Sequence, residues 1–279
     1  MQIVHAGRMD WGENLAAHRH GGMAHKLLFE GEEGSPDNFL LVLAREGADY
    51  YSPRHRHAWD QVRLCLEGAI PIGKDWYVRA GEVGYFPEGV PYGPQEGGPD
   101  RLVLLLQFGG ASGQGYLGPD QLRRARTELE REGTFERGVF RRTRGDGRRN
   151  EDAYEAIWRH VTGRPIAYAT SSYEAPIVMR PEELPWRNVG PDLRAKEIGR
   201  FAERGLSLHE ISLAPNARYA VAAEPGRSFI FVRAGEGSCD DEAYAPHTTI
   251  RLEPDEAVAL SARTPTRLFA ISVEPAAVA

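Results

Sequence analysis

The chain reads as an all-β protein with a helical insert, built as two jelly-roll β-barrels in tandem joined by a helical linker. Short apolar or alternating runs punctuated by Gly and Pro fill residues 38–109 and return over residues 192–279, the pattern of closely spaced antiparallel strands. Residues 110–191 between them carry helical patterns and a Pro-rich connector. Ser228-Phe-Ile-Phe-Val-Arg-Ala-Gly235 can also be laid over Gln61-Val-Arg-Leu-Cys-Leu-Glu-Gly68, so the two β regions look like copies of one unit.

Bulk properties bound the function. A length of 279 residues with 41% hydrophobic and 27% charged side chains is enough for two ordinary cores. The net charge of -6 argues against nucleic acid as a partner. No apolar run is long enough to span a membrane, and Met1-Gln-Ile-Val-His does not open a signal peptide, so the expectation is a cytoplasmic protein with no membrane partner. Cys65 and Cys239 are the two cysteines, too few for a disulfide framework or a zinc-binding cysteine cluster. Cys65 falls inside an expected strand and reads as a buried, inert thiol.

Residues 1–37 are expected to form an arm. His18-Arg-His20-Gly-Gly-Met-Ala-His25 brings three histidines close together. It has no downstream carboxylate and no Pro and Gly turn, so it predicts a segment packed against a barrel or a partner subunit. Residues 38–109 are the first barrel. Within 52–68, side chains alternate between faces, which puts His55, His57, Gln61, Arg63 and Cys65 on one side. Two imidazoles and an amide converging on one point predict a transition-metal site. After a turn at Gly73-Lys74-Asp75, a strand over 81–86 breaks at Pro87 and Gly89, and residues 101–108 close the barrel. Arg63 is placed either to clamp a substrate carboxylate or to form a structural ion pair with an inward acid. Trp59, Trp76, Tyr77 and Tyr85 offer aromatic walls for a substrate.

Here the chain resembles the cupin superfamily, as a two-barrel protein with metal-site motifs in the N-terminal barrel alone. The family's first motif is His-x-His, three or four residues, Glu, six residues, Gly; this sequence has His55, His57, Gln61 and Gly68. The second is Gly, five residues, Pro-x-Gly, two residues, His; this sequence has Gly81, Pro87, Gly89 and Tyr92. Gln61 and Tyr92 thus depart from the family at two of four ligand positions. Gln61 can coordinate through its carbonyl oxygen, but it leaves a divalent ion uncompensated by protein charge, which favours an anionic or chelating substrate. Tyr92 either ligates, with its phenol pKa depressed by the metal, or acts as an acid/base group beside it.

The resemblance implies a metal-dependent enzyme, a dioxygenase first, acting on a small phenolic or organic acid. His55, His57 and Gln61 would hold the metal, Tyr92 and Arg63 would serve catalysis, and Arg63, Trp59, Trp76 and Tyr85 would line the substrate site. Iron is the first expectation for the metal, with nickel, manganese and zinc as alternatives. Two other readings stay open: a redox-neutral isomerase, lyase or decarboxylase, and a non-catalytic ligand-binding protein with a vestigial site. The family's habits imply a homodimer.

In the linker, Pro119 opens a helix that Gly133 follows, and a second helix is expected over 150–161, capped by Asn150 and stopped by Gly163. Arg141, Arg142, Arg144, Arg148 and Arg149 read as a solvated hairpin. In the second barrel, residues 192–279, the overlay sets Ala222 and Glu224 at the histidine slots and residues 255–266 over 81–92. It therefore reads as a cupin barrel that has lost its metal site.

Overall fold

The computed structural model describes residues 1–16, 19 and 21–276, so the expectations for His18 and His20 lie outside the described residues. Strands dominate, with two α-helices among the described residues, α1 at Pro119–Leu129 and α2 at Ala153–Thr162. None of the described helices is long and apolar enough to cross a membrane. The chain divides into two compact units: Trp11–Val178, and Met1–Asp10 together with the residues from Met179 onward.

In the Trp11–Val178 unit, one sheet runs in the order Ile177–Met179, Val83–Phe86, Trp59–Glu67, Arg101–Gly109, Phe39–Glu46, Met23–Glu30. Trp59–Glu67 can sit between two antiparallel neighbours because both of its faces are covered: residues 59–65 are all buried. The hairpin of Ala69–Gly73 with Trp76–Arg79, the pair of Tyr51–Ser52 with Gln95–Glu96, and an isolated bridge between His55 and Tyr92 complete the barrel.

The unit boundaries differ from the arm and linker expected from sequence. Within the arm, the run Lys26-Leu-Leu-Phe-Glu that reads as a strand is one, extended to Met23–Glu30 and paired to Phe39–Glu46, whereas Gln2–His5 pairs with Thr248–Leu252 in the other unit. The helical stretch belongs to the first barrel, because its apolar faces need a core. Leu122, Ala125 and Leu129 of α1 and Tyr154, Ile157 and Trp158 of α2 share one buried cluster with Val42, Trp59, Phe86 and Leu105. The cap of α2 is Asp152, whose Oδ1 accepts from the Tyr154 and Glu155 amides at 2.8 and 3.2 Å, while Asn150 begins a short strand. Asp152 takes the cap because its carboxylate reaches both free amides of the first turn. Gly163, at φ 72°, ends α2 as expected. His160 Nε2 lies 2.6 Å from Glu128 Oε2 on α1.

The second unit repeats the scheme. Its larger sheet runs Gln2–His5, Thr248–Leu252, Arg227–Ala234, Thr266–Val273, Ser207–Leu213, Leu193–Arg200, Arg187–Gly190. Gln61 pairs with Phe86 and Gln107, and Ser228 pairs with Leu252 and Ser272. The overlay of Ser228 on Gln61 therefore holds strand for strand. The overlay of 255–266 on 81–92 does not. The strand beside Arg227–Ala234 is Thr248–Leu252, so the place of Tyr92, six residues beyond Phe86, falls to Val258, which is buried in the apolar cluster. Ile230 and Val232, in the places of Arg63 and Cys65, belong to that cluster too.

Candidate metal centre

Strand parity acts from Trp59 onward, whereas His55 and His57, expected on the same strand, precede it: His55 sits in an isolated bridge and His57 in irregular chain. Trp59, Gln61 and Arg63 face inward from the central strand, and the His55–Tyr92 bridge sets those two residues opposite. His55 N–H donates to Tyr92 O at 3.0 Å, and Tyr92 N–H donates to His55 O at 2.9 Å. The Pro87 turn is pinned by Gly89, whose N–H donates to His57 O at 2.9 Å. Gly89 has φ 78°, and a Cβ there would lie 2.4 Å from Ala169 O, so the turn requires glycine.

Four side chains meet at the Tyr92 hydroxyl. Its oxygen lies 3.2 Å from His55 Nε2, 3.3 Å from His57 Nε2, 3.3 Å from the Gln61 amide and 3.1 Å from Arg63 Nη2. Hydrogen bonding orders this group. The Gln61 amide satisfies its neighbours when its oxygen accepts from Arg63 Nε at 2.8 Å and Nη2 at 3.0 Å and its nitrogen donates to His57 Nδ1 at 3.2 Å. The His57 proton then sits on Nε2 and points at Tyr92. His55 is arranged the other way: Nδ1–H donates to Pro53 O at 2.6 Å, which leaves the Nε2 lone pair facing the Tyr92 hydroxyl. Removal from water, aided by Arg19 and Arg63, holds His55 well below the ordinary imidazole range, so it is neutral. Burial pushes the Tyr92 phenol up, against the pull of Arg63 and Arg19.

A cavity of ≈ 50 Å³ opens on this cluster. Its polar lining includes Arg19, His25, Tyr50, His55, His57, Arg63 and Tyr92, and its apolar lining includes Leu40, Val42, Trp59 and Leu105. Trp59 stacks on His57 with ring centroids 4.1 Å apart and an interplanar angle of 7°. Among the described lining residues Glu46 is the one carboxylate, and Arg101 Nε neutralises it at 2.6 Å.

Four expected roles need correction. Tyr85 pairs with Val62 and so lies on the opposite face from Gln61 and Arg63, where it meets Tyr173. Phe86, one residue on, takes the inward place and packs at 4.6 Å from the Tyr92 ring. Trp76 is 36% exposed on the Trp76–Arg79 strand and does not line the cavity; neither does Tyr77. Gln61 is turned to bridge Arg63 and His57 rather than to offer a carbonyl oxygen to an ion. The sequence reading missed Arg19, Glu46, Tyr116 and Tyr154, which line the cavity from outside the motif strands. Cys65 is buried and its thiol is pushed up to about 12, chiefly by burial, which fits the inert reading.

The donor set fits a divalent metal under one condition. Nε2 of His55 and of His57 stand 3.2 and 3.3 Å from Tyr92 Oη, close to the ~3 Å expected between neighbouring donors on an ion with bonds of about 2.1 Å. His55 already has the tautomer a ligand needs. The set carries no carboxylate, however, and the Arg63 cation stands beside it. Among the described residues no group of three or more His, Cys, Asp or Glu is placed to hold a metal. An ion here needs an anion from outside to balance its charge.

His25, on the cavity wall, gives a pH prediction. Its Nδ1 accepts from the Leu15 amide at 3.1 Å, and burial lowers its pKa below the ordinary 6.5. A histidine that folds neutral binds fewer protons in the native than in the unfolded state. Its contribution is fully present above about pH 6.5 and is lost as pH falls through the folded-state pKa. Urea unfolding of the metal-free protein between pH 7.5 and 5 should show stability falling with pH, and His25→Gln should remove part of that slope. An unchanged slope would assign the acid sensitivity to other groups.

No protein-family model matches the chain, and no curated protein sequence matches it. Solved structures do. A Nostoc punctiforme protein provisionally described as a dioxygenase aligns with TM-score 0.62 at 12% identity, covering 100% of this chain and 84% of that one. The Escherichia coli pirin YhhW in complex with nickel(II) gives 0.54 at 11% identity, over 98% and 99%. Streptomyces albus HEPD, solved with 2-hydroxyethylphosphonate and Fe(II), gives 0.57 at 11% identity, over 99% and 76%. At such identities the likeness is one of fold.

Proposed function

We propose that this chain, which has the two-barrel cupin fold, is a metal-dependent enzyme whose first barrel takes a divalent metal together with a small organic anion. The observation that carries the reading is the meeting of His55, His57, Gln61 and Arg63 within 3.1–3.3 Å of the Tyr92 hydroxyl. His55 and His57 would hold the ion and Arg63 the anion. An ion bound there would polarise substrate oxygens or activate dioxygen, and the oxygen chemistry is our first assignment, on a phenolic or organic acid. Nickel(II) in the pirin and Fe(II) with a small phosphonate in HEPD support a 3d ion with an anionic ligand on this fold.

The chain's own residues link the two events. An anion held by Arg63 through Nη1 and Nη2 together takes Nη2 from the Gln61 oxygen and loosens its hold. Released from Arg63, the Gln61 amide can turn over and accept from His57 Nδ1–H, which moves the His57 proton off Nε2 and exposes its lone pair. Tyr92, kept protonated by burial, can donate a proton to a substrate oxygen. Titration with Fe(II), Ni(II), Mn(II) and Zn(II), with and without a short carboxylate, tests this: the carboxylate should tighten metal binding. Oxygen uptake with catechols and keto acids then tests the reaction class. A second reading, a non-catalytic anion-binding barrel, is favoured by the completeness of the hydrogen-bond chain from Arg63 through Gln61, His57, Tyr92 and His55 to Pro53. Failure to bind any of these ions, with carboxylate present, selects it.

A further inference from the structure

We infer that the first-barrel cavity is built for a small dianion, one charge held by Arg63 and the other by Arg19. This rests on the anion reading above and names the ligand class. Arg63 is 5% exposed; its Nε and Nη2 serve Gln61 and Tyr92, and its Nη1 is buried without a hydrogen-bond partner. A guanidinium nitrogen in that state wants an acceptor, because burying an unmade charged donor is costly. Arg63 lines the cavity, so a ligand oxygen seated there can supply that acceptor.

Arg19 reaches the same cavity from the segment before Met23–Glu30 and is 8% exposed. Its nearest carboxylate is Asp152, with Nη1 to Oδ2 at 3.5 Å, longer than a charge-assisted hydrogen bond. Asp152 is also committed elsewhere, since its Oδ1 caps α2. Glu46 cannot balance either cation, because Arg101 holds it at 2.6 Å with both side chains 3% exposed. Among the described residues Arg63 therefore has no carboxylate at ion-pair distance, and Arg19 has only the long contact to Asp152. A monoanion would serve Arg63 alone, whereas a dianion would also give Arg19 a closer partner than Asp152. The volume of ≈ 50 Å³ and the walls of Leu40, Val42 and Leu105 call for a short carbon skeleton between the charged ends. A short dicarboxylate and a phosphate monoester share this chemistry.

The test is ligand binding to the full chain stripped of metal by a chelator, followed by Trp fluorescence and calorimetry at pH 8, with acetate, malonate and methyl phosphate as probes. Malonate or methyl phosphate should bind at least about tenfold tighter than acetate, and whichever is tighter identifies the source of the dianion. Arg19→Met should erase that margin while acetate still binds, Arg19→Lys should keep part of it, and Arg63→Met should weaken all three. The wild-type margin decides the matter even where a variant folds poorly. If acetate binds through Arg63 and the dianions bind no tighter, or if Arg19→Met leaves the margin intact, the dianion assignment fails and the anion reading stands. If no anion binds, both fail.

Discussion

Replacing His55 by alanine should lower the affinity of the first barrel for a divalent 3d ion by at least about 100-fold and abolish turnover with it. The size follows from position. Loss of an outer partner alone costs about 10–100-fold, and His55 is the donor whose lone pair is available without rearrangement, since its Nδ1–H is committed to Pro53 O at 2.6 Å. His57→Ala should be nearly as damaging, but for a different reason: His57 also supports Trp59, whose ring stacks on it at 4.1 Å. Calorimetric titration with carboxylate present measures the loss, and the urea midpoint checks that the barrel still folds. A His55→Ala protein that keeps stoichiometric, undiminished metal affinity would remove His55 from the site. Gln61→Glu is a useful companion. It restores the residue type that the family resemblance leads one to expect, yet places a carboxylate within ion-pair reach of Arg63, so any gain in metal affinity measures how far Arg63 can be displaced.

Much of this site was legible because strand parity is a rigid rule. Once 59–67 is a strand, Trp59, Gln61, Arg63 and Cys65 must share a face, and the Pro87 and Gly89 turn must return Tyr92 to the level of His55. Tyr85 was marked by its aromatic character alone, and the pairing with Val62 turns it to the other face while its neighbour Phe86 packs on Tyr92. Orientation within the face was not legible. Gln61 reads as a ligand from its spacing, but its amide is set by Arg63 and His57, a contest of hydrogen bonds that no spacing reveals. Arg19, Tyr116 and Tyr154 could not be found from the motifs, because they arrive from the arm and from the helical stretch, and only packing brings them to the barrel. For Tyr154 the signal was the amphipathic face of α2, which marks the helix as core-bound without saying which core. The apolar filling of the second barrel was legible in kind, since the overlay already set Ile230 and Val232 in the places of Arg63 and Cys65. Its register was not, because Asp255-Glu-Ala offers a turn where the strand partner actually lies earlier, at Thr248–Leu252.

Substituting Arg101 by methionine should destabilise the Trp11–Val178 unit by about 3–5 kcal/mol, a large effect for a residue that does not line the cavity. Arg101 and Glu46 are directly opposite in the ladder between Arg101–Gly109 and Phe39–Glu46. Their contact is 2.6 Å, with each side chain 3% exposed, and Arg101 Nη2 also donates to Glu96 O at 3.1 Å. Without Arg101 a carboxylate stays buried and unpaired, and the energy lost is that of the stranded charge rather than the net worth of the pair. The double variant Arg101→Met with Glu46→Met should therefore recover most of the loss, which distinguishes a stranded charge from a packing defect. Urea unfolding at neutral pH measures both; a single variant costing under about 1 kcal/mol would show that Glu46 finds another partner. That partner would have to be Arg19 or Arg63 across the cavity, and the same result would then appear as weakened anion binding. Arg101 in this way does two jobs at once: it ties the ends of two interior strands of the sheet, and by occupying Glu46 it keeps that carboxylate from the cavity's guanidiniums.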